Sequence, residues 1–132
     1  MRYLLETSFL VSLLSGRRAA ASAVRRLERQ GVAMAFISLA ELHFGALTSS
    51  NAERSRAAVD RLRRRLTVLP LDDETCQVVA SEAARLAKDG VALPVAELVM
   101  AATCLRHGLT LVTTDPRQYE RIAGLKLLVP AD

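Results

Sequence analysis

The chain has 132 residues, is half hydrophobic and about a quarter charged, and carries a formal net charge of +4. That length and balance fit one globular domain over residues 1–132 with a real core, and exclude a disordered, collagenous or low-complexity protein. The apolar runs are short and broken by charge, and no basic segment leads into an apolar stretch with a small-residue cleavage site, so the expected compartment is the cytoplasm.

In chain order, the first element already raises a question. In MRYLLETSFLVSLLSG the run Tyr3–Leu5 reads as a brief buried strand, and Glu6 stands between it and a second apolar run. Burying an unpaired carboxylate costs several kcal/mol or forces it to take up a proton, so something should compensate it. Thr7 or Ser8 is placed to cap the helix that follows, and Gly31 marks the end of a later helical stretch. Ala33–Ile37 reads as the second strand, and Ser38 as the cap of a helix with Glu41 in its first turn.

Over residues 52–66, Val59, Leu62 and Leu66 form an inward stripe, while Arg54, Arg61, Arg64 and Arg65 take the remaining circumference. Thr67–Leu69 is the third strand, and Asp72 or Asp73 caps a helix running to Lys88 that ends near Gly90. Pro94 suits a first helical turn. In ELVMAATCL, Glu97 to Leu105, nearly every side chain after the acid is small or apolar, which predicts a central helix packed on most sides. After Gly108 come the strand Leu109–Val112, the N-cap and first-position proline pair Asp115-Pro116, and a last strand Lys126–Val129. Cys76 and Cys104 lie in apolar helical patterns and read as reduced core cysteines. Short apolar strands alternating with helices predict an α/β fold with a parallel sheet of about five strands, covered on both faces.

Four acids share one kind of position. Glu6, Glu41, Glu97 and Asp115 all lie where a strand gives way to a helix or in the early part of a helix, so in a parallel sheet all four fall at its carboxyl edge, where open α/β folds place ligand sites. Singly, each has a structural explanation as a cap or as a dipole partner worth about 0.3 to 1 kcal/mol. Together they repel, and a hard divalent cation such as Mg²⁺ or Mn²⁺ is the natural compensation. Such a site hydrolyses phosphodiesters.

The segments YLLETSFLVSLL, ISLAELHFGAL and ELVMAATCLRHGLTLVTTDPRQYERIAGLKLL, in this order and spacing, resemble the PIN-domain ribonucleases, specifically the VapC-type toxins of bacterial toxin–antitoxin pairs. The resemblance implies a three-layer α/β/α sandwich, a Mg²⁺- or Mn²⁺-dependent endoribonuclease, homodimerisation, and inhibition by a VapB-like antitoxin. By position, Glu6, Glu41, Glu97 and Asp115 match the family's acidic quartet, and Thr7 and Thr113 its hydroxyls near the metal. The chain departs from the pattern at Glu6 and Glu97, where Asp is usual. Glu reaches roughly 1.3 to 1.5 Å further from the same backbone, and a misplacement of about 1 Å at a reacting centre costs on the order of 100-fold in rate.

Arg17 and Arg18, after the first helix, and Arg117, after Asp115, are the arginines best placed to meet an RNA backbone near the rim; a solvated face is the alternative. His43 falls about 200° from Glu41 around its helix and should point away from the acids. With only five aromatics, extended base stacking on single strands is disfavoured, and a folded RNA recognised by shape and backbone is expected. Phe9, Leu13 and Phe44 fit either the core or a partner groove. Two readings of different classes therefore stand: an endoribonuclease toxin cutting tRNA, rRNA or mRNA, and a non-catalytic PIN-like binding module in which Glu6 and Glu97 spoil the metal geometry. A metal-dependent DNA nuclease is a weaker third.

Overall fold

The computed structural model describes residues 1–131. Strand β1 (Tyr3–Leu5) leads into helices α1 (Thr7–Leu14) and α2 (Arg18–Leu27). After a 3₁₀ turn, β2 (Val32–Ala35) is followed by α3 (Phe36–Leu47) and α4 (Ala52–Arg65). Then come β3 (Thr67–Leu69), α5 (Asp73–Lys88), α6 (Val95–His107), β4 (Thr110–Val112), a 3₁₀ turn over Pro116–Tyr119, and β5 (Lys126–Leu128). The five strands pair in parallel in the order β3-β2-β1-β4-β5.

Strand alternation divides the core in two. Leu5, Met34 and Val112 pack with α1, α2, α3 and α4 on one face, whereas Leu4, Ala33, Ala35 and Leu111 pack with α5, α6, Tyr119 and Ile122 on the other. The result is the expected three-layer α/β/α sandwich. In α6 every residue from Leu98 to Cys104 is buried, and its alanines at 101 and 102 let the helix lie close to the sheet. Gly31 shows why a glycine is required before β2: its φ is +89°, and a β-carbon there would sit 2.7 Å from the Met1 Cα.

Three local expectations are corrected. The cap of α1 is Glu6 itself, whose side chain accepts from the Ser8 N–H, rather than Thr7 or Ser8. Helix α3 starts two residues before Ser38, with Ala35 at the cap position and no side-chain cap, so Ile37 is helical and Glu41 lies in the second turn. The reason is that the Ser38 hydroxyl is fully buried and turned toward Thr7 and Met100 instead of the backbone. Cys104 is buried as expected, but Cys76 lies on the exposed side of α5; both are free thiols.

Candidate active site

The strand order reverses at β1, whose neighbours β2 and β4 are reached by connections running in opposite directions across the sheet. This crevice at the carboxyl ends of β1 and β4 is the topological switch point. Glu6 leaves β1 here, and Thr113, Thr114 and Asp115 leave β4. The Glu6 N–H bonds the Val112 carbonyl at 2.9 Å, which ties the two strand ends together.

Glu6 is only 8% exposed. Its Oε1 accepts from the Ser8 N–H at 3.2 Å, from the Ser8 hydroxyl, and from the Thr113 hydroxyl at 2.7 Å. Thr113 Oγ1, itself fully buried, accepts in turn from the Asp115 N–H at 3.1 Å. Ser8 Oγ accepts from the Thr114 hydroxyl at 2.7 Å. One carboxylate oxygen thus gathers the turn after β4 and the first turn of α1 into a single hydrogen-bonded unit. Charge-assisted bonds of this kind are the stronger ones, and they hold Glu6 in one orientation.

Glu97, in the first turn of α6, is half-buried, and its Oε2 is buried with no hydrogen-bond partner. Tyr119 is buried near both acids. Burial pushes its hydroxyl pKa well above the ordinary value, and the nearby Glu6 and Glu97 charges push it further. Glu41 is exposed and more loosely held, accepting from the Thr7 hydroxyl at 2.7 Å; Thr7 also meets the Ser38 hydroxyl at 2.8 Å. Asp115 pairs with the Arg117 guanidinium at 3.4 Å, and among the described residues Glu6, Glu41 and Glu97 have no basic partner.

The four carboxylates share one rim but do not meet at a point: among the described residues no three acid, His or Cys side chains are disposed to hold an ion between them. The chemistry of the group nevertheless fits a hard divalent cation. The donors are all oxygen, three carboxylates lack a basic partner, and Glu97 Oε2 is a buried carboxylate oxygen without a hydrogen-bond partner, an arrangement that is costly in a desolvated place.

Arg17 lines a cavity of about 290 Å³ with Ser12, Ala20, Thr114 and Pro130, beside the Glu6 network. Arg18 opens α2 and is exposed, and Arg117 lies against Asp115. Ser8 and Tyr119 are the site residues that sequence reasoning passed over. Ser8 was visible as the second residue after a capping acid, and Tyr119 as the aromatic that follows the Thr-x-Asp step.

The PIN domain profile matches residues 3–125. The chain belongs to the PIN-domain family. It is 30% identical to Ribonuclease VapC1 of Haemophilus influenzae over 96% of both chains, and 25% identical to the tRNA(fMet)-specific endonuclease VapC of Shigella flexneri over 96% of both. The solved structure of VapBC-1 from nontypeable Haemophilus influenzae contains a chain that superposes with a TM-score of 0.87 at 30% identity, covering 98% of each. This PIN domain therefore groups with the VapC ribonucleases, which it matches over 96% of their length.

Proposed function

We propose that residues 1–132 form a single PIN-like domain acting in the cytoplasm as an endoribonuclease toxin, with structured tRNA or rRNA as substrate and a VapB-like antitoxin as its inhibitor. The observation that carries this reading is the unpartnered, buried Glu97 Oε2 on a rim of uncompensated carboxylates. A site built to stay empty would not keep it. Support also comes from the VapC relatives and from the absence, among the described residues, of any helix long and apolar enough to cross a membrane.

Glu6, Glu41, Glu97 and Asp115 would hold the cation, Mg²⁺ or Mn²⁺. When bound, it supplies activation of water and stabilisation of charge at the attacked phosphate. The chain's own side chains do the positioning. Thr113 and Ser8 orient Glu6, and Thr113 also fixes the backbone that presents Asp115. Thr7 steadies Glu41, and the Tyr119 hydroxyl, its pKa raised by burial and by the nearby acids, stays protonated. Arg17, Arg18 and Arg117 meet phosphates of the strand. Hydrolysis adds water across one P–O bond, leaving a phosphate on one fragment and a hydroxyl on the other.

The antitoxin is assigned to the apolar groove between α1, α3 and α4, lined by Val11, Leu14, Gly45, Ala46 and Val59, with Glu41 in its wall. Phe44 and Leu47 stand exposed on α3 beside it, at 69% and 65%. Phe9 belongs to the core instead, at 1% exposure. Because similar chains occur in VapBC complexes and the groove reaches a rim acid, an inserted apolar segment here would also cover the site. A homodimer is part of the same reading.

The non-catalytic alternative is favoured by one observation, that no three acids are disposed to hold an ion as they stand. Cleavage of total tRNA and rRNA by the antitoxin-free protein, with Mg²⁺ or Mn²⁺ and with chelator, beside Glu6→Asp, separates the two. Chelator-sensitive cutting by both forms is expected. Cutting by Glu6→Asp alone would mean that the longer side chain disables a competent site, and silence from both folded proteins would establish the binding module.

A further inference from the structure

We propose that the outer face of α2 is a track for the phosphate backbone, carrying the RNA strand away from the cleavage rim; this deepens the ribonuclease reading and rests on it. Helix α2 is sharply two-sided. Ala20, Ala23, Val24 and Leu27 are buried against the sheet, while Arg18, Ser22 and Arg25 follow one another at helical spacing along the exposed side, with Arg26 flanking them and Arg29 next, exposed in the 3₁₀ turn that ends the helix.

The stripe carries a single sign. Helix α2 contains no acid, and Glu28, just beyond its end, is already engaged by Arg65 of α4 at 2.5 Å. Among the described residues, Arg18, Arg25, Arg26 and Arg29 make no ion pair. A helix that is merely solvated ordinarily mixes signs and gains from pairs of opposite charge one turn apart, whereas like charges at that spacing destabilise it. Arg25, Arg26 and Arg29 crowd one end of α2 around a common depression with no opposite charge among them. Their arrangement is explained by an anionic partner.

The position of the stripe says which partner. Its first end is at Arg17, in the cavity shared with Thr114, whose hydroxyl bonds Ser8, the donor to Glu6. From there α2 runs about 15 Å to a shallow depression lined by Ser22, Arg25, Arg26 and Arg29. A strand whose reacting phosphate lies at the acidic rim meets negative charge there, so its binding must come from adjacent phosphates. Arginine's planar fork suits that contact, and the chain uses sixteen arginines against two lysines. The track gives affinity without base readout.

The test is binding of fluorescent total tRNA by the full chain in a Glu6→Gln background, so that no RNA is cut, across a salt series. Arg25→Gln, Arg26→Gln and Arg29→Gln are combined in one variant, and Arg61→Gln, Arg63→Gln and Arg64→Gln on α4 in a charge-matched control. The α2 variant is expected to bind about 10- to 100-fold more weakly near 0.1 M salt, with its log–log salt slope reduced by roughly 2 to 3. The control should change less than about threefold. Equal losses in both variants, no loss in either, or a loss for duplex DNA but not for tRNA would overturn the proposal. Cleavage by the parent protein, scored separately, reports on the ribonuclease reading alone.

Discussion

Two acids cap helices in this molecule, Glu6 at α1 and Asp72 at α5, and they do different things. Asp72 is complete where it stands: Thr75 supplies a backbone N–H at 2.9 Å and a hydroxyl at 2.7 Å, and Arg106 lies 3.8 Å away. The Thr75 bonds hold its carboxyl below the usual carboxylate range, with Arg106 and His107 assisting. Glu6 has donors from its own first turn too, but it also draws in the Thr113 hydroxyl from the end of β4, it is buried, and a second carboxylate with an orphaned oxygen shares its surroundings. A capping acid that finishes its own helix is structural. One that also ties in the end of another strand and still lacks a counter-charge has a further task.

The largest effect that sharpens this contrast is expected for Glu6→Gln. Chelator-sensitive RNA cleavage should fall by about three orders of magnitude, roughly 4 kcal/mol in activation free energy, while circular dichroism shows an intact fold. Asp72→Asn should do the reverse, leaving cleavage unchanged and lowering the melting temperature at neutral pH.

Next in size is Thr113→Val, which keeps the shape but removes the donor to Glu6 and the acceptor for the Asp115 N–H. Cleavage should fall about 10- to 100-fold, as for other residues that orient metal-binding side chains. If Thr113→Val cuts at the parental rate, the Glu6 network is not what positions the acids. Smaller still is Arg117→Ala. Its pair with Asp115 is exposed, and such pairs are worth about 0 to 1 kcal/mol, so the melting temperature should hardly move.

The pH dependence of stability separates the two caps as well. The Asp72 carboxyl is depressed in the folded state, so its contribution is fully present above the unfolded value near 3.9 and is lost as pH falls through the lower folded value. Acid melting curves of Asp72→Asn should therefore converge on the parent below about pH 4. Curves that stay parallel at all pH values would mean that the cap acts through shape rather than charge.

Much of the fold was legible because local chemistry and global topology agree. All five strands appear within a residue or two of their expected places, and the apolar segment after Glu97 is the buried central helix it reads as. Where expectation failed, a tertiary contact outweighed a local one. Ser38 has the sequence of a cap, yet its hydroxyl serves Thr7 across the interface between α1 and α3. Cys76 shortly precedes the apolar run Val78-Val79-Ala80 but falls on the outward side of α5, a phase that a short window does not fix. That each acid stands at a strand-to-helix junction or early in a helix could be read from the alternation of strands and helices alone. Their hydrogen-bond partners could not, since Thr113 lies 107 residues from Glu6 and no local spacing reports that pairing.

The most direct test of the central claim, that the rim acids form one cation site, is thermal melting of the parent and Glu97→Gln in chelator and in millimolar Mn²⁺. The parent should be stabilised by the cation, by about 2.7 kcal/mol at a hundredfold excess over the dissociation constant. Glu97→Gln should melt higher than the parent in chelator, because an amide that can donate as well as accept replaces the acid whose buried oxygen has no partner, and should gain little from Mn²⁺. A parent that does not respond to Mn²⁺, or a Glu97→Gln variant that responds as the parent does, would contradict the account.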